Sequence, residues 1–311
     1  MPHPNFPLEH APFVSLPVQY VTVANGEDKV AVHISGDLGS RRVPLVCVPG
    51  FHRNMSDYAA FAAGIRNRLG EAWPVVLLDL RGRGRSTYRR NRDGYSSILD
   101  AADLSVVATA LGIDGAIFVG QSYGGQVIMA LAAQRPALIA GTILVDAGPV
   151  SDPRGLVRLR NNLRHIDNLR GEAALRRVFR QILAVDYPGL PEDQLDRLAL
   201  RTHWIDSRGR PHALFDRKLV RMLDAFEHDD ILVAQWSLFT ALDGVPMMIF
   251  RSQLSDQLRR ETFDEMARRR PDAITVPILG QGSPALLDQN EEQEAVADFL
   301  RHVGVVRGRA A

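Results

Sequence analysis

A chain of 311 residues, 46% hydrophobic and 23% charged, has the composition of a soluble globular protein and the length of one large domain with an insertion, or of two small ones. A balance of 37 Lys and Arg against 36 Asp and Glu leaves a net charge of +1, which argues against nucleic acid or an anionic membrane surface as partner. A single cysteine, Cys47, excludes an internal disulfide and suits a reducing, cytoplasmic setting.

The opening Met1-Pro2-His3-Pro4-Asn5-Phe6-Pro7 lacks the basic start and apolar core of a signal peptide and reads as an extended surface segment. Alternating residues over 18–23 and 29–34 around Asn25-Gly26 predict a hairpin. The apolar run 45–48 predicts a strand buried on both faces, with Cys47 as a small core residue. A helix over 56–69, a strand over 75–79 and a helix over 98–111 follow. Next come a strand over 117–119, a helix ending before Pro136, and a strand over 142–145 closed by Asp146-Ala147-Gly148-Pro149. From about 151 to 242 the chain reads as mostly helical and Arg-rich, with no buried strand run. Alternation then resumes with a strand over 247–250, a helix over 262–269 and a strand over 274–279. A last helix over 290–303 has Ala295, Val296, Phe299, Leu300 and Val303 on one face.

This pattern predicts an α/β fold with a mainly parallel twisted sheet, helices on both faces and an inserted helical cap. The expected division is a core over 1–150 and 243–311 with the cap over 151–242. No apolar stretch is long enough to span a bilayer. Runs such as Arg89-Arg90 and Arg268-Arg269-Arg270 read as solvated faces. The oligomeric state stays open, a homodimer included.

Gly120-Gln121-Ser122-Tyr123-Gly124 is the most informative segment. An apolar run precedes it and a helical run follows it, so the serine falls at a sharp strand-to-helix turn. Glycines on both sides are what such a turn needs, because the serine backbone is strained and its neighbours pack closely. The turn lifts the hydroxyl above the sheet and points the next backbone N–H groups at the same space.

With these segments in order, the chain resembles the α/β-hydrolase superfamily, and specifically its capped, esterase-like members. Val48-Pro49-Gly50-Phe51-His52 is similar to the oxyanion loop after the third strand. Asp79-Leu80-Arg81-Gly82-Arg83-Gly84-Arg85-Ser86 is similar to the loop after the fourth, and residues 143–149 to the segment that enters the cap. The resemblance implies Ser122 as nucleophile, an oxyanion hole from the N–H groups of Phe51 and Tyr123, and Asp256 as the acid that orients a histidine base. Each oxyanion donor is worth about 3–4 kcal/mol of transition-state stabilisation. Asp146 is the alternative acid, at a site some superfamily members use. The family often has a glycine where Ser252 stands. Asp79 reads as a structural carboxylate that ties down the loop behind it. Gly82-Arg83-Gly84 lacks the Gly-Lys-Ser/Thr of a nucleotide loop.

The expected histidine is missing. The family's Gly-x-Gly-His falls on Gly280-Gln281-Gly282-Ser283, so Ser283 stands at the base position, and a serine cannot accept a proton near neutral pH. His52, beside the oxyanion position, is the candidate substitute. His203, His212 and His228 belong to the cap segment, and His302 to the last helix, away from the chemistry. In subtilisin, loss of the histidine alone lowers turnover about a millionfold.

Apolar residues of the insertion (Leu163, Ile166, Phe179, Ile182, Leu183, Tyr187, Trp204, Phe215, Leu219, Met222, Phe226, Trp236, Phe239) suggest packed cap helices and a pocket for a small substrate with an apolar part. No residue cluster has metal-ligand spacing, and the resemblance implies no cofactor. The expectation is a cofactor-independent serine hydrolase of a carboxylic ester, acting through an acyl-enzyme on Ser122 and crippled by the missing base. The alternatives are a non-catalytic ligand-binding protein on the same fold, or hydrolysis of a C–C, lactone or amide bond with a different base.

Overall fold

The structure, a computed structural model, describes residues 9–24, 26–89 and 94–308. The expectations for the Pro-rich start, for Asn25 and for Arg90 lie outside the described residues.

Continuous apolar runs become the centre of the sheet. Strands β3 (Leu45–Val48), β4 (Val75–Leu78), β5 (Ala116–Gln121) and β6 (Ile139–Val145) are buried at every position, as a strand covered on both faces requires. With β1 (Gln19–Val23), β2 (Asp28–Ser35), β9 (Met247–Ser252) and β10 (Ile274–Ile278) they form an eight-stranded sheet in the order β1-β2-β4-β3-β5-β6-β9-β10. Pairing is parallel from β4 through β10 and antiparallel for β1–β2 and β2–β4.

Helices cover both faces. Helix α1 (Ala59–Leu69) and the last helix, α10 (Asn290–Gly308), lie on one face, with Phe61, Ile65, Val296, Phe299, Leu300 and Val303 packed on Ile117, Val119 and Ile143. Helices α2 (Ser97–Ala110) and α3 (Tyr123–Gln134) lie on the other, with Leu104, Val107, Val127 and Leu131 packed on Phe118 and Leu144. Each such side chain contributes about 1.5–3 kcal/mol by leaving water. The predicted apolar face of the last helix is therefore the face that holds it to the sheet.

Between β6 and β9 the chain forms α4 (Pro153–Asn168), α5 (Glu172–Asp186), α6 (Glu192–Ala199), α7 (Lys218–Met222) and α8 (Trp236–Thr240). It also forms a short antiparallel pair, β7 (His203–Ile205) and β8 (Pro211–Ala213), which the expectation of a mostly helical stretch does not place. After β9, α9 (Arg260–Arg269) leads to β10. Among the described residues no helix is long and apolar enough to cross a membrane.

The arginine runs depart from expectation. Arg268 and Arg269 are on the surface, but Arg270 is buried and donates to the carbonyls of Leu242 and Val245 at 2.6 Å each. Arg89 is also buried, paired to Asp100 at 2.9 Å and to Asp103. Asp79 does tie its loop, accepting from the N–H groups of Met55 and Arg85 at 2.8 Å each. Burial pushes its carboxyl up to about 6, with Arg85 and the two N–H donors opposing.

Candidate functional site

Strand β5 ends at Gln121 and α3 begins at Tyr123, so Ser122 carries the whole turn. Its φ of 49° and ψ of −115° lie on the left-handed side, where an L side chain is strained. Two backbone bonds hold it there: its N–H donates to Val145 O at 2.8 Å, and its carbonyl accepts from Gly125 N–H at 3.0 Å. The flanking glycines are forced by space. A Cβ on Gly124 would lie 2.2 Å from the Val48 carbonyl oxygen, and one on Gly120 would lie 2.5 Å from Ile128 Cδ1. Tyr123 opens the helix, where the first N–H groups have no intrahelical acceptor.

The loop after β3 is braced from behind by an arginine that sequence reasoning passed over. Arg83 is fully buried; its Nε donates to the Phe51 carbonyl at 2.7 Å, and its Nη1 to the Arg81 carbonyl at 2.7 Å and to Asp100 Oδ2 at 3.2 Å. The Tyr123 hydroxyl donates to the same Asp100 oxygen at 2.8 Å. The guanidinium carbon lies 5.8 Å from the Phe51 ring centre and 5.3 Å from that of Tyr123, and the two rings meet edge to face at 5.4 Å. One buried ion pair therefore fixes the two residues expected to supply the oxyanion hole.

Phe51, His52, Ser122, Tyr123, Asp146 and Ser283 all line one cavity of about 490 Å³. Its far wall belongs to the inserted segment and includes Leu159, Leu163, Ile166, Phe179, Ile182, Leu183, Tyr187, Met222 and Phe226. Of the apolar residues read as pocket candidates, Trp204, Phe215, Leu219, Trp236 and Phe239 pack elsewhere.

At the serine the arrangement differs from the expected triad. Ser122 Oγ donates to Gln257 Oε1 at 3.3 Å, and Gln257 Nε2 donates to Asp256 Oδ1 at 2.9 Å. Asp256 stands behind Gln257, facing a side groove rather than the cavity. Its second oxygen accepts from Arg158 Nε at 2.6 Å, and Arg158 Nη2 reaches Asp186 at 2.9 Å. Burial opposes the Arg158 charge, but its bonds to Asp256 and Asp186 outweigh it and raise its pKa. Burial also raises that of Asp186, with Arg158 opposing. Gln257, Arg158 and Asp186 carried no motif; only Gln257 had a signal, its place next to the expected acid.

Asp146 is engaged elsewhere. It accepts from Ser252 N–H at 2.8 Å and from Ser252 Oγ at 2.7 Å, and burial pushes its carboxyl up to about 6 against those bonds. Ser252, the departure from the family's glycine, is thus the partner of the alternative acid.

Ser283 sits in a loop drawn to the elbow from two sides. Gln121 Nε2 donates to Ala285 O at 2.7 Å, and Gly282 N–H donates to Asp186 O at 2.5 Å. Among the described residues no histidine bonds to Ser122 Oγ. His52 packs edge-on against Phe215 at 5.4 Å. Burial first, then the charges of Arg53, His203 and Arg83, hold its pKa well below the ordinary value. His203 also lines the cavity, packed between Phe179 and Phe215, with burial lowering its pKa to about 3. His212 is stacked on Trp204 and bonded to Asp206 at 3.0 Å, and His228 and His302 are exposed. Among the described residues no group of three His, Cys, Asp or Glu could hold a metal ion.

The sequence profile of the alpha/beta hydrolase family matches residues 45–299. A 3-hydroxybutyrate-oligomer hydrolase of Cupriavidus necator is 27% identical over 288 residues, covering 87% of this chain and 92% of that protein. An N-formylmaleamate deformylase of Pseudomonas putida is 27% identical over 202 residues, or 62% and 66% of the two chains. The crystal structure of an alpha/beta hydrolase from Novosphingobium aromaticivorans superposes with a TM-score of 0.78 at 29% identity, over 92% of this chain and 98% of that one. Profile, relatives and fold agree, and the chain belongs to the alpha/beta hydrolase family.

Proposed function

We propose that this protein is a cofactor-independent serine hydrolase of carboxylic esters that lacks its general base. Ser122 is the nucleophile, the N–H groups of Phe51 and Tyr123 receive the developing oxyanion, Asp256 is the acid, and Ser283 marks the vacated base position. The observation that carries this reading is Ser122 itself, strained at a strand-to-helix turn on the wall of an apolar cavity. Non-glycine residues held at positive φ cluster at active sites, and this one lies on a cavity wall. Residues 151–242 act as the cap over the core formed by 1–150 and 243–311. The relative named for 3-hydroxybutyrate oligomers supports an ester of a short hydroxy acid, carrying an apolar part into the cap cavity.

Acyl transfer needs a group to take the Ser122 proton. Gln257 cannot, because an amide oxygen is not a base at neutral pH. Burial and the nearby charges hold the His52 pKa well below the ordinary value and its ring packs on Phe215, which makes it a weak proton acceptor for that task. The chain as written therefore turns esters over slowly. The same Gln257 contact favours a second reading, a ligand-binding protein that keeps the pocket without turnover.

Hydrolysis of a short-chain nitrophenyl ester separates these readings when the chain, Ser283→His and Ser122→Ala are run side by side. The expected outcome is that the original chain stays near the Ser122→Ala blank and Ser283→His rises by orders of magnitude. Rapid Ser122-dependent turnover by the original chain would mean another base, His52 first, and would overturn the vacated-base assignment.

A further inference from the structure

Gln257 occupies a particular place: among the described residues it is the side chain that bonds both to Ser122 Oγ (3.3 Å) and to Asp256 (2.9 Å). The two heteroatoms of an amide are separated by one carbon, as are the two nitrogens of an imidazole. The polarity also matches. In a serine–histidine–acid triad the ring accepts from the serine hydroxyl on one side and donates to the acid on the other. Here Oε1 accepts from Ser122, and Nε2 donates to Asp256. That amide orientation is set by Asp256, whose carboxylate faces Arg158 at 2.6 Å and serves as the acceptor.

We propose that Gln257 is a proton-inert stand-in for the triad imidazole, the residue that positions Ser122 against Asp256 in this chain. It links the serine hydroxyl to the acid behind it, but it takes no proton. Position 257, one residue beyond the acid, is therefore a place from which a base can serve Ser122, besides position 283. This rests on the reading of Ser122 as nucleophile.

The test uses the full chain with a nitrophenyl ester, Ser122→Ala as the blank for hydrolysis by imidazole itself, and Ser283→His as an independent base-restored control. Gln257→Ala opens a gap bounded by a hydroxyl and a carboxylate. Added imidazole should raise its Ser122-dependent turnover about a hundredfold or more, and saturably, as expected for a general base supplied to its site. Gln257→His should gain on the same scale without added imidazole, with turnover rising through about pH 6.5, where imidazole loses its proton. Intact-mass detection of an acyl adduct on Ser122 accompanies both. A Gln257→Ala variant unmoved by imidazole, with Gln257→His at the blank and Ser283→His active, overturns the proposal and leaves Ser122 as nucleophile standing. If Ser283→His is also at the blank and no variant forms an adduct, the nucleophile assignment fails, and the proposal with it.

Discussion

Asp146→Asn offers a sharp test of the electrostatics beneath the site. Asp146 is buried, and both of its oxygens are occupied by Ser252. Burial moves its carboxyl from 3.8 to about 6, opposed by Ser252 and Ser255. At 1.36 kcal/mol per pH unit this puts the ionised form about 3 kcal/mol against the folded state. The sign follows from proton counts. Between about pH 4 and pH 6 the folded state holds a proton that the unfolded state has released, so stability falls as pH rises through that window. Asparagine keeps an acceptor for Ser252 N–H, donates to the serine hydroxyls and carries no charge. Asp146→Asn should therefore match or exceed the parent in urea denaturation at pH 8. Its advantage should shrink by about 2 kcal/mol at pH 4.5, where the parent regains its proton. A variant that loses equally at both pH values, or loses more at pH 8, would refute the assignment of a raised carboxyl held neutral at low pH.

Other outcomes follow from the same geometry. Gly124→Ala forces a methyl group against the Val48 carbonyl at 2.2 Å, and should cost about 1–3 kcal/mol or more, read as a fall in thermal midpoint. Asp100→Asn removes the charge shared by Arg83 and Arg89, leaving the buried Arg83 without its carboxylate while Arg89 keeps Asp103, and should cost about 3–5 kcal/mol in chemical denaturation. In the Ser283→His background, Ile182→Trp narrows the cavity from the side of the inserted segment and should raise KM for hexanoyl esters more than for acetyl esters.

The strands and the elbow were legible because their signals are local. A run such as Leu45 to Val48 is apolar at every position only if both faces are covered. Ser122 was legible because backbone crowding leaves no choice but glycine at positions 120 and 124. The pair β7–β8 was not legible, since strands of three residues, one of them led by Pro211, carry no period to detect. Arg89 and Arg270 were misread as surface, and Arg83 was passed over, because an arginine's burial depends on partners brought from elsewhere: Asp100 in α2, or carbonyls near the end of α8. The place of Ser283 after Gly280-Gln281-Gly282 is read from the family resemblance. The contact of Gln257 with Ser122 was not legible, because it forms only once the loop after β9 is folded next to the elbow.

The bonds between the end of α5 and the loop after β10 have a mechanical consequence. Asp186 O holds Gly282 N–H, the Tyr187 hydroxyl holds the Pro284 carbonyl, and Ser283 lies between these two clamps. Helix α5 also presents Phe179, Ile182 and Leu183 to the cavity. One helix therefore serves both as a wall of the cavity and as the anchor of the loop around residue 283, so a substitution that displaces α5 loosens the hold on that loop as well as reshaping the wall.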